Sequence, residues 1–141
     1  MSAAKRVLGP RVLGICLILT AIVTVAYWVD YFTSAEVAAV PARWYTAFEN
    51  SFPIADAWMA LTSLAAGIGF WRGSSRAHAL GLLAGSALLY LAAMDITFNV
   101  ENGLYVLART SNAMRFEVLI NAWSLVLGVW AVVVGWRRAR D

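Results

Sequence analysis

Between Arg11 and Asp30 the chain reads VLGICLILTAIVTVAYWV, eighteen residues without a charge. A helix rises about 1.5 Å per residue, which sets Arg11 and Asp30 about 28 Å apart, close to the roughly 30 Å of hydrocarbon in a bilayer. Three more apolar stretches of similar length follow: Ile54 to Trp71, Ala77 to Met94 and Val118 to Trp136. The pattern predicts an all-α integral membrane protein, a four-transmembrane-helix bundle that forms a single domain over residues 1–141.

Composition agrees with this reading. Hydrophobic residues make up 62% of the chain and charged residues 13%, against roughly 45–50% and about 25% in soluble proteins. The seven tryptophans suit the headgroup boundary. A net charge of +3 does not point to nucleic acid, because the basic residues flank apolar runs instead of forming one solvated face. The first stretch follows Lys5, Arg6 and Arg11 as a secretory signal would. Its apolar core exceeds the usual length of about 7–15 residues, and no small-residue cleavage site follows closely, so it is expected to be retained. Cys16 is alone and offers no disulfide or thiol pair. With His78 the sole histidine, haem held by two histidines is excluded within one chain, and neither haem nor nucleotide is expected.

Orientation follows from the basic residues. Lys5, Arg6 and Arg11, then Arg72 and Arg76, then Arg137, Arg138 and Arg140 mark one side of the bilayer. The other two connections hold Arg43, Arg109 and Arg115 against Asp30, Glu36, Glu49, Asp56, Asp95, Glu101 and Glu117. Positive charge collects inside, so both termini are expected in the cytoplasm of a multi-pass cell-membrane protein, with loops 31–53 and 97–117 extracytoplasmic. In the first of these loops Trp44, Tyr45 and Phe48 share one side of a helical wheel after Pro41, which predicts a short helix lying in the outer interface. Pro53 opens the second spanning helix, with Asn50 or Ser51 as candidate caps. Asn102-Gly103 reads as a turn, and Ser111 as the cap before the fourth helix.

Sliding the chain against itself by 65 residues superposes Asp30 on Asp95, Glu36 on Glu101, Ala57-Trp58 on Ala122-Trp123, Trp71-Arg72 on Trp136-Arg137 and Arg11 on Arg76, with Asp56 on Asn121. Each half holds two helices. The expectation is two tandem two-helix repeats, about 10–73 and 75–138, related by a pseudo-two-fold axis along the membrane normal.

The repeat brings a carboxylate or carboxamide on every helix to a similar outer depth: Asp30, Asp56, Asp95 and Asn121. A charged aspartate at the bilayer centre costs roughly 2.5–3.5 kcal/mol, less near the interface, and two carboxylates in one small site also repel. Such a pair suits a cation, a proton relay or a cationic amine, with Tyr27, Trp58 and Trp123 among the aromatic walls. A plainer account competes. Asp56 lies in a first helical turn, where an acid complements the helix dipole. Asp30 and Asp95 lie toward helix C-termini, where the dipole does not explain them; pairing with Arg43 or Arg109 as a structural lock would.

Asn99, Glu101 and Glu36 offer oxygen to a hard divalent cation such as calcium, although their spacing does not match the twelve-residue calcium loop and acidic loop residues are ordinary surface. Gly81-x-x-x-Gly85 and the small residues Ala65 to Gly69 favour close helix approach, within the chain, between copies as a homo-oligomer, or against a larger membrane complex. Trp71 and Trp136 at one boundary, with Trp44, Trp58 and Trp123 toward the other, are equally explained as an aromatic belt in contact with membrane lipids.

No phosphate-binding loop, dinucleotide fingerprint, serine nucleophile or metalloprotease motif is present. Four helices carrying intramembrane acids and aromatics resemble the sterol-isomerase and emopamil-binding bundles in layout alone, and no residue role is carried across. Three functions fit: a pocket facing outward that binds or transports a cation or cationic amphiphile; an accessory subunit of a larger membrane complex; or a membrane enzyme of isomerase type, with one aspartate as base and its partner as acid.

Overall fold

The computed structural model describes residues 3–34 and 40–138, with side chains from 9 to 34 and from 40 to 137. Those residues form five α-helices: α1 Ala3–Thr33, α2 Arg43–Glu49, α3 Pro53–Arg72, α4 Ala77–Glu101 and α5 Asn112–Arg138. A 3-10 helix, Leu104–Arg109, stands between α4 and α5, and no strand occurs among the described residues. Helices α1, α4, α5 and the segment containing α3 are long and apolar enough to cross a membrane.

α1 is rich in Val, Ile and Thr, which are mediocre helix formers in water. In hydrocarbon every backbone group must pair within its own segment, and that requirement overrides propensity. The hydroxyls comply too. Thr20 Oγ1 donates to Cys16 O at 2.8 Å, Thr24 to Thr20 O at 2.9 Å and Thr62 to Trp58 O at 2.9 Å, each bond reaching one turn back. Pro53 occupies the first turn of α3, where its missing N–H costs nothing. α3 stops at Gly73, whose φ of 69° lets the chain turn left-handed, and the Ser74 N–H closes back on Gly69 O at 2.9 Å.

The helices outlast their apolar stretches. α4 runs on through Asn99 to Glu101, and α5 begins at Asn112, so the second long connection shrinks to residues 102–111. Glu117 consequently sits on a helix and not in a loop. Ser111 does cap α5, its Oγ accepting the Met114 N–H at 3.2 Å. Asn50 and Ser51 do not cap α3: Ser51 Oγ donates to Phe48 O and Asn50 Oδ1 accepts from Tyr31. The short helix after Pro41 forms as α2, but it is pressed down on the bundle. Tyr45 is buried, and the Phe48 ring stacks on Phe98 with centroids 3.5 Å apart. Leu104 and Met114 complete this cluster.

α1 packs on α3, α3 on α4 and α4 on α5, while α1 and α5 scarcely meet. The tight packing lies toward the arginine-rich end. A Cβ built on Gly67 would stand 2.6 Å from Gly14 O, and one on Gly85 would stand 2.8 Å from Gly128 O. Glycine is required at both crossings because backbone meets backbone there. Gly81 lies under the Phe70 ring, so Gly81 and Gly85 are engaged inside the chain. Leu13, Leu17, Ala66, Phe70, Ala84, Leu127 and Ala131 fill the space around them.

These crossings predict a graded response to one added methyl. Gly67→Ala should lower stability by about 1–3 kcal/mol through overpacking, read as thermal unfolding in detergent. Gly9→Ala, with nothing within 4 Å of the new Cβ, should stay within about 0.5 kcal/mol of wild type. Equal stability of the two variants would contradict the crossing.

Candidate functional site

Away from the glycine crossings the four helices part and enclose a cavity of about 420 Å³. That lies within the roughly 300–1,000 Å³ of small-molecule pockets. Its lining comes from residues 19–28 of α1, 49–59, 88–95 of α4 and 113–124 of α5. All lie in the half of the bundle that carries the two long connections. Most of the wall is apolar: Leu19, Val23, Met59, Leu88, Leu91 and Ile120, with Phe52 and Phe116.

Into this wall are set four carboxyl groups, Glu49, Asp56, Asp95 and Glu117, together with Asn121, and among the described residues no lysine, arginine or histidine lines the cavity. Each carboxyl group is met by neutral donors. Trp28 Nε1 donates to Asp56 Oδ2 at 2.8 Å, and Tyr27 OH to Glu49 Oε2 at 3.0 Å. Tyr45 OH donates to Glu117 Oε2 at 2.7 Å. The Asn99 amide nitrogen faces Asp95 O at 3.0 Å, Asp95 Oδ1 at 3.2 Å and Glu117 Oε1. Asn99 is completely buried, and its own Oδ1 has no partner. The Asn121 amide donates to Tyr105 OH at 3.0 Å. Burial raises the Tyr105 phenol above its ordinary pKa; the Asn121 bond opposes the rise, and the charges of Asp95 and Glu117 reinforce it. Tyr105 therefore stays neutral.

Of the residues singled out from the sequence, Tyr27, Asp56, Asp95, Asn121 and Trp123 line the cavity. Asp30 does not: its Oδ1 accepts from Ser34 Oγ at 2.6 Å, one turn on, and its Oδ2 is buried without a partner. Asp95 is thus brought together with Glu117, not with Asp30. Both aspartates bond the side chain four residues on, Ser34 and Asn99, but only the Asp95–Asn99 pair meets a further acid, Glu117. Trp58 is exposed on the outside of the bundle, where a lipid belt accounts for it. Asp56 lies in the first turn of α3, yet its side chain reaches across to Trp28 instead of capping that helix.

Glu101 is exposed, Asn99 presents its amide nitrogen to the acids, and Glu36 lies outside the described residues. Among the described residues no three His, Cys, Asp or Glu side chains gather closely enough to hold an ion. Arg115 is committed to its own loop, donating to Ala108 O at 2.7 Å and Arg109 O at 2.8 Å. Among the described residues neither Asp30 nor Asp95 bonds to Arg43 or Arg109, so the lock with those arginines does not form.

The sequence places Glu49 and Glu117 only as acids of the outer connections and Tyr45 only on the short interfacial helix, so none of the three stands out as a site residue. A usable signal was present: Asp95 precedes Asn99 by four residues and Glu117 precedes Asn121 by four, the spacing of neighbours on one helix face.

The chain matches no family model. No curated protein is significantly similar to it, and no solved structure is either.

Because the Asn99 amide serves two acids at once, Asn99→Ala should cost about 1–3 kcal/mol of stability, and Asn99→Asp more, since it adds a third carboxyl group. Thermal unfolding in detergent tests this, and wild-type stability for Asn99→Asp would contradict the shared donor.

Proposed function

We propose that the cavity is an acidic pocket for a small organic cation with an apolar body, facing the extracytoplasmic side of a cell-membrane protein. The observation that carries this reading is the set of four carboxyl groups in a largely apolar wall, with no basic side chain among its described residues. Ionised acids removed from water need compensation, and only protons or a bound cation can supply it here. Neutral donors hold the acids in place without cancelling their charge. Asp95 and Glu117 adjoin at Asn99, but no three of the acids gather closely among the described residues, which suits a cationic group on an organic body better than a bare metal ion. Trp28, Tyr27 and Phe116 add aromatic surface that attracts a cation.

Three finer points belong to the same proposal. The basic residues at 72, 76 and 137 sit at the opposite end of the bundle from the cavity, which supports cytoplasmic termini. The two hairpins, 10–73 and 75–138, are taken as tandem repeats about a pseudo-two-fold axis. In support, Asp56 and Asn121, equivalent at an offset of 65, both line the cavity. α2 is taken to roof the pocket at the outer interface.

The test uses the protein in lipid nanodiscs with dodecylamine and, as a neutral match, dodecanol. A ligand of the folded state at a hundred times its Kd adds about 2.7 kcal/mol. Dodecylamine should raise the unfolding temperature of wild type and of Asp30→Asn, and leave Asp56→Asn/Asp95→Asn unmoved. Dodecanol should do nothing beyond its effect on the bilayer. An equal response to amine and alcohol, or an undiminished response in the double variant, would overturn the proposal.

A further inference from the structure

Resting on that reading of the cavity, we infer that its ligand is a membrane-dissolved cationic amphiphile that reaches the carboxyl groups sideways, between α1 and α5, past the Trp123–Thr20 hydrogen bond. Three of the four walls are closed by helices packed on one another, whereas α1 and α5 line the same cavity and scarcely touch. The seam between them is the cavity's unsealed wall.

What edges the seam decides what passes through it. Leu19, Val23, Leu119 and Trp123 line the cavity and are also 46–65% exposed on the outside of the bundle. A passage rimmed by such side chains is compatible with lipid and hostile to water. The route from the aqueous end is covered. Glu49 is 7% exposed, Tyr45 above it 1%, and the Phe48–Phe98 stack with Leu104 and Met114 fills the space beneath the two long connections.

One polar contact bridges the seam among the described residues: Trp123 Nε1 donates to Thr20 Oγ1 at 2.9 Å. Thr20 in turn donates to Cys16 O, which fixes the hydroxyl's acceptor face toward the indole. Thr20 lies midway between Arg11 and Asp30, about 14–15 Å along α1 from each, so this latch is at mid-membrane depth. From there the seam runs outward to Trp28, about 12 Å along the helix. An amphiphile lying in the outer leaflet already has this disposition, with its charged head at the depth of the acids and its chain along the seam. The charges are complementary, and the alkyl chain matches the apolar wall.

The route is tested by cysteine labelling in nanodiscs. In a Cys16→Ala background, Ser124→Cys places a thiol on the cavity wall, where Ser124 is 8% exposed. Thr24→Cys on α1 serves the same purpose should the first variant fail to fold. The probes are N-dodecylmaleimide, which dissolves in the bilayer, and a sulfonated maleimide, which does not. The expected result is modification by the lipid-soluble reagent alone, accelerated at least about threefold by Trp123→Phe and slowed about tenfold by dodecylamine. Labelling by the sulfonated reagent at a comparable rate, or no acceleration in Trp123→Phe, would overturn the lateral route. If dodecylamine stabilises the protein while only the sulfonated reagent labels it, the route fails and the cation reading stands. If the lipid-soluble reagent enters through the seam and dodecylamine neither protects nor stabilises, the cation reading fails, and the inferred ligand with it.

Discussion

Everything in this bundle follows from how closely its helices approach at the glycine crossings. At Gly14–Gly67 and Gly85–Gly128 one backbone lies directly against another, and in a membrane such packing replaces the hydrophobic drive that holds soluble cores together. The crossings sit toward the arginine-rich end, and no cavity-lining residue falls within 60–87 or beyond 124. Small residues close one half of the bundle. In the other half the larger side chains of Tyr27, Trp28, Phe52 and Phe116 line the space between the helices. The cavity is the geometric consequence of that asymmetry, and the loose α1–α5 seam is its unclosed side.

Set into that opened half, the acids meet a second constraint. Glu49, Asp56, Asp95 and Glu117 are held by tyrosine, tryptophan and asparagine donors, and Arg115, in the first turn of α5, is occupied by the backbone carbonyls of Ala108 and Arg109. A structural role alone would be better served by an arginine, which pairs with carboxylates through two parallel bonds. Fixing acids by neutral donors keeps their negative field available to something else. It also makes Asn99 a positioning residue, because one amide sets the relation between Asp95 and Glu117.

How much of this was legible in the sequence depends on the length scale of the signal. The four helices were, because a bilayer imposes a length that shows directly in the chain. Asp56, Asp95, Asn121, Tyr27 and Trp123 were also legible as polar or aromatic residues at one depth. Asp30 was misleading. Its depth matches that of Asp95, but depth along an axis does not fix which way a side chain faces, and Asp30 turns to Ser34. Glu49 and Glu117 were hidden for the opposite reason. They fall outside the apolar stretches, and only the helices' continuation beyond hydrocarbon length carries Glu117 to the cavity. Trp58 and Trp123 are equivalent at an offset of 65, yet one faces outward and the other donates to Thr20 on α1; periodicity alone does not separate them.

The central claim is that the pocket recognises positive charge on an apolar body. Calorimetric titration of protein-loaded nanodiscs, corrected with empty ones, against octyltrimethylammonium and octanol tests it most directly, because the quaternary ammonium keeps its charge at every pH. The account predicts at least about tenfold tighter binding of the cation, equivalent to about 1.4 kcal/mol, and loss of that preference in Asp56→Asn/Asp95→Asn. Equal affinity for the two ligands would contradict it.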